Sequence, residues 1–277
     1  MNSSCILELD SITKSYVRNI VNVRGELQDE RFYIIDDLDL DVPKGKITAL
    51  IGGNGAGKTT LFNIISGLLM TDSGNISYQA GILPKSIIGL QNYQIARLGI
   101  GRMFQDNHIF QEMTVLDNML VADSDNFGEI PFVSLFKKSK SFKAEKRRTD
   151  KACEIFNQLF GSYKDLWDKR DYLAKDLSYG QQRLLGLARL FMGKYDLVLL
   201  DEPTAGVNPA IIENIKQVIN KMVSEKNMSV FLIEHNMKVV LDLANFCSFM
   251  SHGKITAFGT PDDVIGDVEV RKTYLGI

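Results

Sequence analysis

The residues with the plainest chemistry are Lys58 and Thr59, near the end of the run Gly52-Gly53-Asn54-Gly55-Ala56-Gly57-Lys58-Thr59-Thr60. The run fits G-x-x-x-x-G-K-[ST], a phosphate-binding loop. Glycines let successive backbone N–H groups curl around a phosphate, and the start of the next helix adds its positive dipole end. In such a loop Lys58 reaches the β and γ phosphates of a nucleotide and Thr59 offers its hydroxyl to Mg²⁺. A second pair, Asp201 and Glu202, ends the apolar run Leu197-Val198-Leu199-Leu200. Consecutive side chains diverge along an extended backbone. Asp201 can therefore hold the metal while Glu202 reaches a water in line with the γ-phosphate as general base. Three further residues are ambiguous when taken singly. Gln105 is long enough to link the metal site to the segment that follows it, or is an ordinary surface glutamine. His235 closes a strand where it could contact the γ-phosphate, or is a structural histidine. Tyr16, at the end of the first strand region, stacks on an adenine or is a strand-end aromatic.

Those groups need rigid elements behind them. The apolar run Ile47 to Ile51 reads as the strand that feeds the phosphate loop, and a helix from Lys58 should end near Ser66-Gly67, where glycine suits a C-terminal cap. Asp196 to Glu202 carries the apolar run Leu197 to Leu200 before its two closing acids, as in a strand buried on both faces of a parallel sheet. Helix 210–225, strand 229–233, helix 236–244 and paired strands near 247–250 and 255–258 complete an α/β alternation. Right-handed crossovers then place the phosphate loop and Asp201 at the same carboxyl edge of the sheet. Before the loop, Ile6 to Asp10 and Phe32 to Val42 alternate as half-buried antiparallel strands do. The polar stretch Val17 to Arg31 between them reads as a long surface connection. From 106 to 175 the periods turn helical, with one segment at Val115 to Ala122 and another at Arg147 to Phe160, which predicts an inserted helical lobe. Within it, Lys137 to Arg148 holds seven Lys or Arg residues against one Glu. That run reads as a solvated helix face, or as a weak attraction to an anionic membrane surface. Leu177-Ser178-Tyr179-Gly180-Gln181-Gln182 opens a further helix, with Ser178 as its N-cap.

Composition narrows the class. Apolar residues at 45% and charged residues at 24% match a globular chain, and 277 residues suffice for one large domain with an inserted lobe. A net charge of −2 gives no reason to expect nucleic acid as a partner. No apolar run approaches the roughly 18 to 20 residues that cross a bilayer, and Met1-Asn2-Ser3-Ser4 has no signal-peptide pattern, so any membrane role should be peripheral. Cys5, Cys153 and Cys247 are too few and too scattered for a disulfide framework or metal cluster, and read as ordinary buried or half-buried thiols in a reducing compartment.

The order of these stations resembles an ATP-binding cassette (ABC) ATPase subunit over essentially the whole chain. It runs from Tyr16 through Gly52 to Thr60, then Gln105, then the signature Leu177 to Gln182. Asp201-Glu202, the loop Ala205-Gly206-Val207-Asn208-Pro209 and the switch His235 follow in sequence. The resemblance implies a single P-loop NTPase domain over 1–277. Residues 1–105 and 176–277 would form the catalytic part, a RecA-like mostly parallel sheet with an antiparallel β subdomain, and 106–175 the inserted helical subdomain. It implies ATP and Mg²⁺ as cofactors. Tyr16, Gly52, Asn54, Gly55, Ala56, Gly57, Lys58, Thr59 and Thr60 would bind the nucleotide, and Thr59, Gln105 and Asp201 the metal. Lys58, Gln105, Glu202 and His235 would act in hydrolysis. Two such cassettes close head to tail, so Ser178, Gly180 and Gln181 of one would meet the nucleotide of a second subunit, identical or different. Permease subunits and, indirectly, a substrate-binding protein are the other implied partners, on the cytoplasmic face of the plasma membrane. Tyr179 and Asn208 stand where the general family has Gly and Asp. Both are similar to the subgroup that powers branched-chain amino acid importers, as are Ala96 to Gln105, Met113 to Asn118 and the ending Gly259-Thr260-Pro261 to Tyr274-Leu275-Gly276. ATPases of urea or amide import and of lipopolysaccharide export are alike enough to be rivals. A translation or DNA-repair ATPase fits less well, since the chain holds one set of motifs and no coiled-coil insertion. Glu202 and His235 together argue against a nucleotide-binding module without turnover.

Overall fold

The computed structural model describes residues 5–21, 27–79, 81, 83–106, 108–123, 138–160 and 165–272. It opens with two long strands, β1 (Cys5–Val21) and β2 (Leu27–Pro43), paired antiparallel from Cys5↔Pro43 to Val21↔Leu27. The expected surface connection at 17–31 is therefore mostly strand, with Arg18 opposite Glu30 and Tyr16 opposite Phe32. Residues 22–26, between the strands, lie outside the described residues. Tyr16 is not at a strand end, because β1 runs five residues past it. Next come β3 (Ile47–Ile51), α1 (Lys58–Ile65), β4 (Ser73–Tyr78), β5 (Lys85–Ser86), α2 (Asn92–Leu98) and β6 (Ile100–Met103). Helix α3 (Val115–Ala122) keeps its predicted bounds, while α4 (Lys138–Phe160) begins well before the expected Arg147. The remaining elements alternate: α5 (Tyr179–Met192), β7 (Leu197–Asp201), α6 (Pro209–Ser224), β8 (Ser229–Ile233) and α7 (Met237–Leu243). Strands β9 (Phe246–Ser251) and β10 (Lys254–Gly259) and helix α8 (Pro261–Gly266) follow.

Two sheets result. One has the order β2-β1-β4-β5 and is antiparallel; the other has the order β10-β9-β3-β8-β7-β6, parallel except for β10. Every residue of β3, β7 and β8 is buried, so their continuous apolar runs follow from having both faces covered. The two faces belong to different cores. Ala49, Val198, Leu200 and Leu232 pack with α3, α4, α5 and α6, including Met119, Phe156, Leu185 and Ile215. Leu50, Leu199, Phe231 and Ile233 pack with α1 and the antiparallel sheet, through Phe62, Leu38 and Leu7. The helices of the 106–175 stretch thus share one core with a face of the parallel sheet. Of its basic run, Arg148 turns inward, with Nε 3.5 Å from Asp123 Oδ2. Lys137 lies outside the described residues, and so does the ending Tyr274-Leu275-Gly276. Strand β6 was not expected: Ile100 to Met103 is only four residues long, and pairing with β7 makes it the edge of the parallel sheet. Cys247 is buried and its thiol pushed up to about 12 by that burial, while Cys5 and Cys153 are half-buried.

Candidate functional site

Four neighbouring parallel strands end at one edge of the sheet, and a candidate residue follows each. The phosphate loop follows β3, Gln105 follows β6, Asp201 ends β7 with Glu202 just after it, and His235 follows β8. This is the carboxyl edge where open α/β sheets hold their ligands.

The loop is shaped by what presses on it. Gly57 has φ 107°, and a Cβ there would stand 2.7 Å from the Ile34 carbonyl oxygen and 2.8 Å from Met250 Cε, so only glycine fits the turn into α1. Lys58 Nζ donates to the carbonyls of Gly52 at 2.7 Å and Gly53 at 2.9 Å, which folds the side chain back across the loop. Burial pushes the Lys58 ammonium below its ordinary value, and the carboxylates of Glu202 and Asp201 hold it up. Asn54, Gly55 and Thr59 are exposed, Thr60 is half-buried, and Ala56 is buried beneath the loop.

Asp201 is 1% exposed. Its Oδ2 lies 3.3 Å from Arg102 Nη2, whereas its buried Oδ1 has no hydrogen-bond partner among the described residues. Burial raises the carboxyl above its usual range, and Arg102 pulls it back. An orphaned carboxylate oxygen in such a place suits a cation. The Thr59 hydroxyl and the Gln105 carboxamide oxygen are the same kind of hard donor, so the residues present fit Mg²⁺. Glu202 leaves the strand with φ 48°, a left-handed conformation that costs a non-glycine residue about 1–2 kcal/mol. Its N–H donates to the Ile233 carbonyl at 3.0 Å. The carboxylate is gripped from both sides: Gln105 Nε2 donates to Oε2 at 3.0 Å, and His235 Nε2 lies 3.0 Å from Oε1. Two of the three residues that were ambiguous singly, Gln105 and His235, therefore converge on one group.

Three supporting residues were not foreseen. Glu234, 2% exposed, accepts from Thr204 Oγ1 at 2.6 Å and Thr204 N at 3.1 Å with one oxygen. Its other oxygen accepts from His235 N at 3.1 Å and Asn236 N at 3.3 Å, which ties the turns after β7 and β8 together. Arg102 donates to Asn63 Oδ1 at 2.9 Å and Ser66 Oγ at 2.7 Å besides pairing with Asp201, locking α1 to the metal-ligand candidate. Arg183 ties α5 to the segment at Phe104 and Gln105. The position of Glu234 after an apolar strand was the available signal, since Asp201 is placed the same way.

At the start of α5, Ser178 is an exposed N-cap whose Oγ accepts from Gln181 N, and Gln181 Oε1 accepts from Ser178 N at 3.0 Å, a capping box. Gln181 is buried by that task, so the turn presents Ser178, the exposed Tyr179 and the half-buried Gly180. Tyr16 is 43% exposed, with its ring centroid 6.0 Å from that of Phe32 and Lys14 Nζ 5.5 Å away.

Comparison with known proteins bears on the family and the fold. A family model described as ABC transporter matches residues 35–205. The chain is 34% identical to the high-affinity branched-chain amino acid transport ATP-binding protein BraF of Pseudomonas aeruginosa, over 87% of this chain and 91% of that protein. The crystal structure of the ADP conformation of MJ1267, an ATP-binding cassette of an ABC transporter, superposes with a TM-score of 0.76 at 30% identity, covering 99% of this chain and all of that one. The dimeric structure of MJ0796, a bacterial ABC transporter cassette, shares the fold with a TM-score of 0.69 at 20% identity, over 92% of this chain and 98% of that one.

Proposed function

The chain belongs to the ABC transporter family as an ATP-binding, ATP-hydrolysing subunit, and from that premise we propose that it powers the import of branched-chain or related amino acids. The observation that carries the hydrolytic part is the Glu202 carboxylate held between Gln105 and His235, 3.0 Å from each. Lys58 and the loop amides bind the β and γ phosphates, and Tyr16 takes the adenine. Glu202 accepts the proton of a water aligned with the γ-phosphate, and His235 orients that carboxylate and reaches the departing phosphate. Thr59, Asp201 and Gln105 would hold Mg²⁺, which would supply charge neutralisation at the phosphates.

Two copies of this chain, or this chain and a related one, close head to tail, each presenting Ser178 and Gly180 to the nucleotide of the other. The exposure of the capped turn at Ser178 supports that reading. Nucleotide binds the closed pair more tightly than the open one, and that difference drives the transmembrane partner. We assign the transport path to other chains; among the described residues no helix is long and apolar enough to cross a membrane. A groove of about 950 Å³ is lined by Tyr93, Arg97, Phe104, Val121, Arg189 and Tyr195, from α2, α3, α5 and the segments around β6. Its size and mixed lining suit a helical segment of a permease, with the 106–175 stretch as the subdomain that receives it and the chain on the cytoplasmic face of the plasma membrane.

The test is ATP-driven uptake of labelled leucine into vesicles that hold this chain with its permease, in the presence of the cognate binding protein. Uptake that needs ATP is the expected outcome. Phosphate release without leucine uptake would move the cargo to an amide or a lipid while leaving the ATPase in place.

A further inference from the structure

The largest fully buried side chain among the described residues is Arg183, on α5. Its Nη1 donates to the Phe104 carbonyl at 3.1 Å, and its Nη2 donates to the Gln105 carbonyl and, at 2.7 Å, to the Tyr179 hydroxyl. The guanidinium carbon also sits 5.1 Å from the centroid of the Tyr179 ring. Bonds from a charged donor are about twice as strong as neutral ones, which stiffens the joint although Tyr179 is 46% exposed. The hydroxyl-side edge of the same ring lies beside the loop after β7, where a Cβ on Gly206 would stand 3.4 Å from Tyr179 Cε1. One cation and one phenol thus join residues 104–105 to the start of α5, with the loop 205–209 beside the ring.

What those segments serve differs. Gln105 belongs to this subunit's own hydrolytic group, because its side chain holds Glu202. Ser178, next to Tyr179, belongs in the closed pair to the nucleotide of the other subunit. We propose that Tyr179 and Arg183 are positioning residues that couple the two composite sites. When Gln105 adjusts to bound nucleotide, its carbonyl carries Arg183, and with it the turn that presents Ser178 to the second site. Coupling of this kind is reciprocal, so occupation of the second site also adjusts Gln105. The inference rests on the head-to-tail pair proposed above. A glycine at 179 would lack both the hydroxyl and the ring, so the tyrosine is the residue that makes the joint.

The experiment measures phosphate release against ATP concentration for the full-length chain and for Tyr179→Phe, Arg183→Met and Arg183→Lys, with a fluorescent nucleotide titration of each diluted subunit. The wild-type curve is expected to be cooperative, with a Hill coefficient rising toward about 2, the number of sites in the pair. Tyr179→Phe and Arg183→Met should bring it toward about 1, and Arg183→Lys should recover part of it, while affinity in the titration stays within about twofold. Arg183→Met removes a buried charge and can lower stability; Tyr179→Phe keeps the ring and its packing, so it tests the joint alone. A Hill coefficient that stays at the wild-type value in Tyr179→Phe and Arg183→Met, even with slower turnover, overturns the proposal, as does a wild-type curve without cooperativity. A wild-type chain that binds no nucleotide in the titration would instead remove the phosphate-loop reading itself.

Discussion

Lys58 bridges the two carbonyls at the start of its own loop, and that grip keeps an ammonium in a place where burial works against its charge. A nucleotide's phosphates offer it stronger acceptors. Hydrogen bonds to charged groups are worth about 1.5–3 kcal/mol each, so Lys58→Ala should weaken ATP binding by about 10- to 100-fold. Titration with a fluorescent nucleotide measures this, and unchanged affinity would remove Lys58 from the phosphate site. Lys58, Asp201 and Glu202 were legible in the sequence because each stands at a fixed offset from an apolar strand or a glycine run. Arg102, Arg183 and Glu234 were not. A charged letter reads as a surface residue until its partners are known, and theirs lie on other elements: Asp201 for Arg102, Phe104 for Arg183 and Thr204 for Glu234. Tyr16 shows the opposite limit, since its aromatic character was visible but its pairing with Phe32 in mid-strand was not.

At the scale of elements, one carboxylate reinforces the pairing of β1 with β4. Asp72, just before β4, accepts from Lys14 Nζ, Ser15 N and Ser15 Oγ, each at 2.7 Å. Hydrogen bonds from Lys14 and then Ser15 pull its carboxyl down from 3.8 to about 2. A carboxylate with a depressed native value adds stability above its unfolded value and loses it as pH falls through the native one. Asp72→Asn should therefore lower the melting temperature at neutral pH, and the gap to wild type should close between pH 3.8 and about 2. The side chain is 37% exposed, so water screens the interaction and the neutral-pH drop should be only about 1–3 °C. Thermal unfolding across that range checks it, and a gap that widens in acid would be the wrong sign. The buried elements were the readable ones. Strands β3, β7 and β8 carry apolar runs that burial on two faces demands. The far half of the β1–β2 hairpin escaped because residues 16–19 and 31–33 are exposed, leaving no alternation to read. Strand β6 escaped because four residues are too few to show a period.

For the whole molecule, the parallel sheet separates two cores while its carboxyl edge gathers residues that the chain spreads from 52 to 235. Topology explains that gathering: β3 and β7 both pair with β8, so the phosphate loop, the acids and His235 are neighbours however far apart they lie in sequence. In the proposed head-to-tail pair the exposed Ser178 of one subunit completes the site of the other, and closure of that pair is the step that nucleotide controls. The most direct measurement is Glu202→Gln studied by sedimentation with Mg²⁺ and either ATP or ADP, alongside phosphate release. The account predicts an ATP-dependent dimer, no such dimer with ADP, and phosphate release slowed by about 10²- to 10⁴-fold, the usual share of a general base. A Glu202→Gln chain that hydrolyses ATP at the wild-type rate, or stays monomeric with ATP bound, would contradict it.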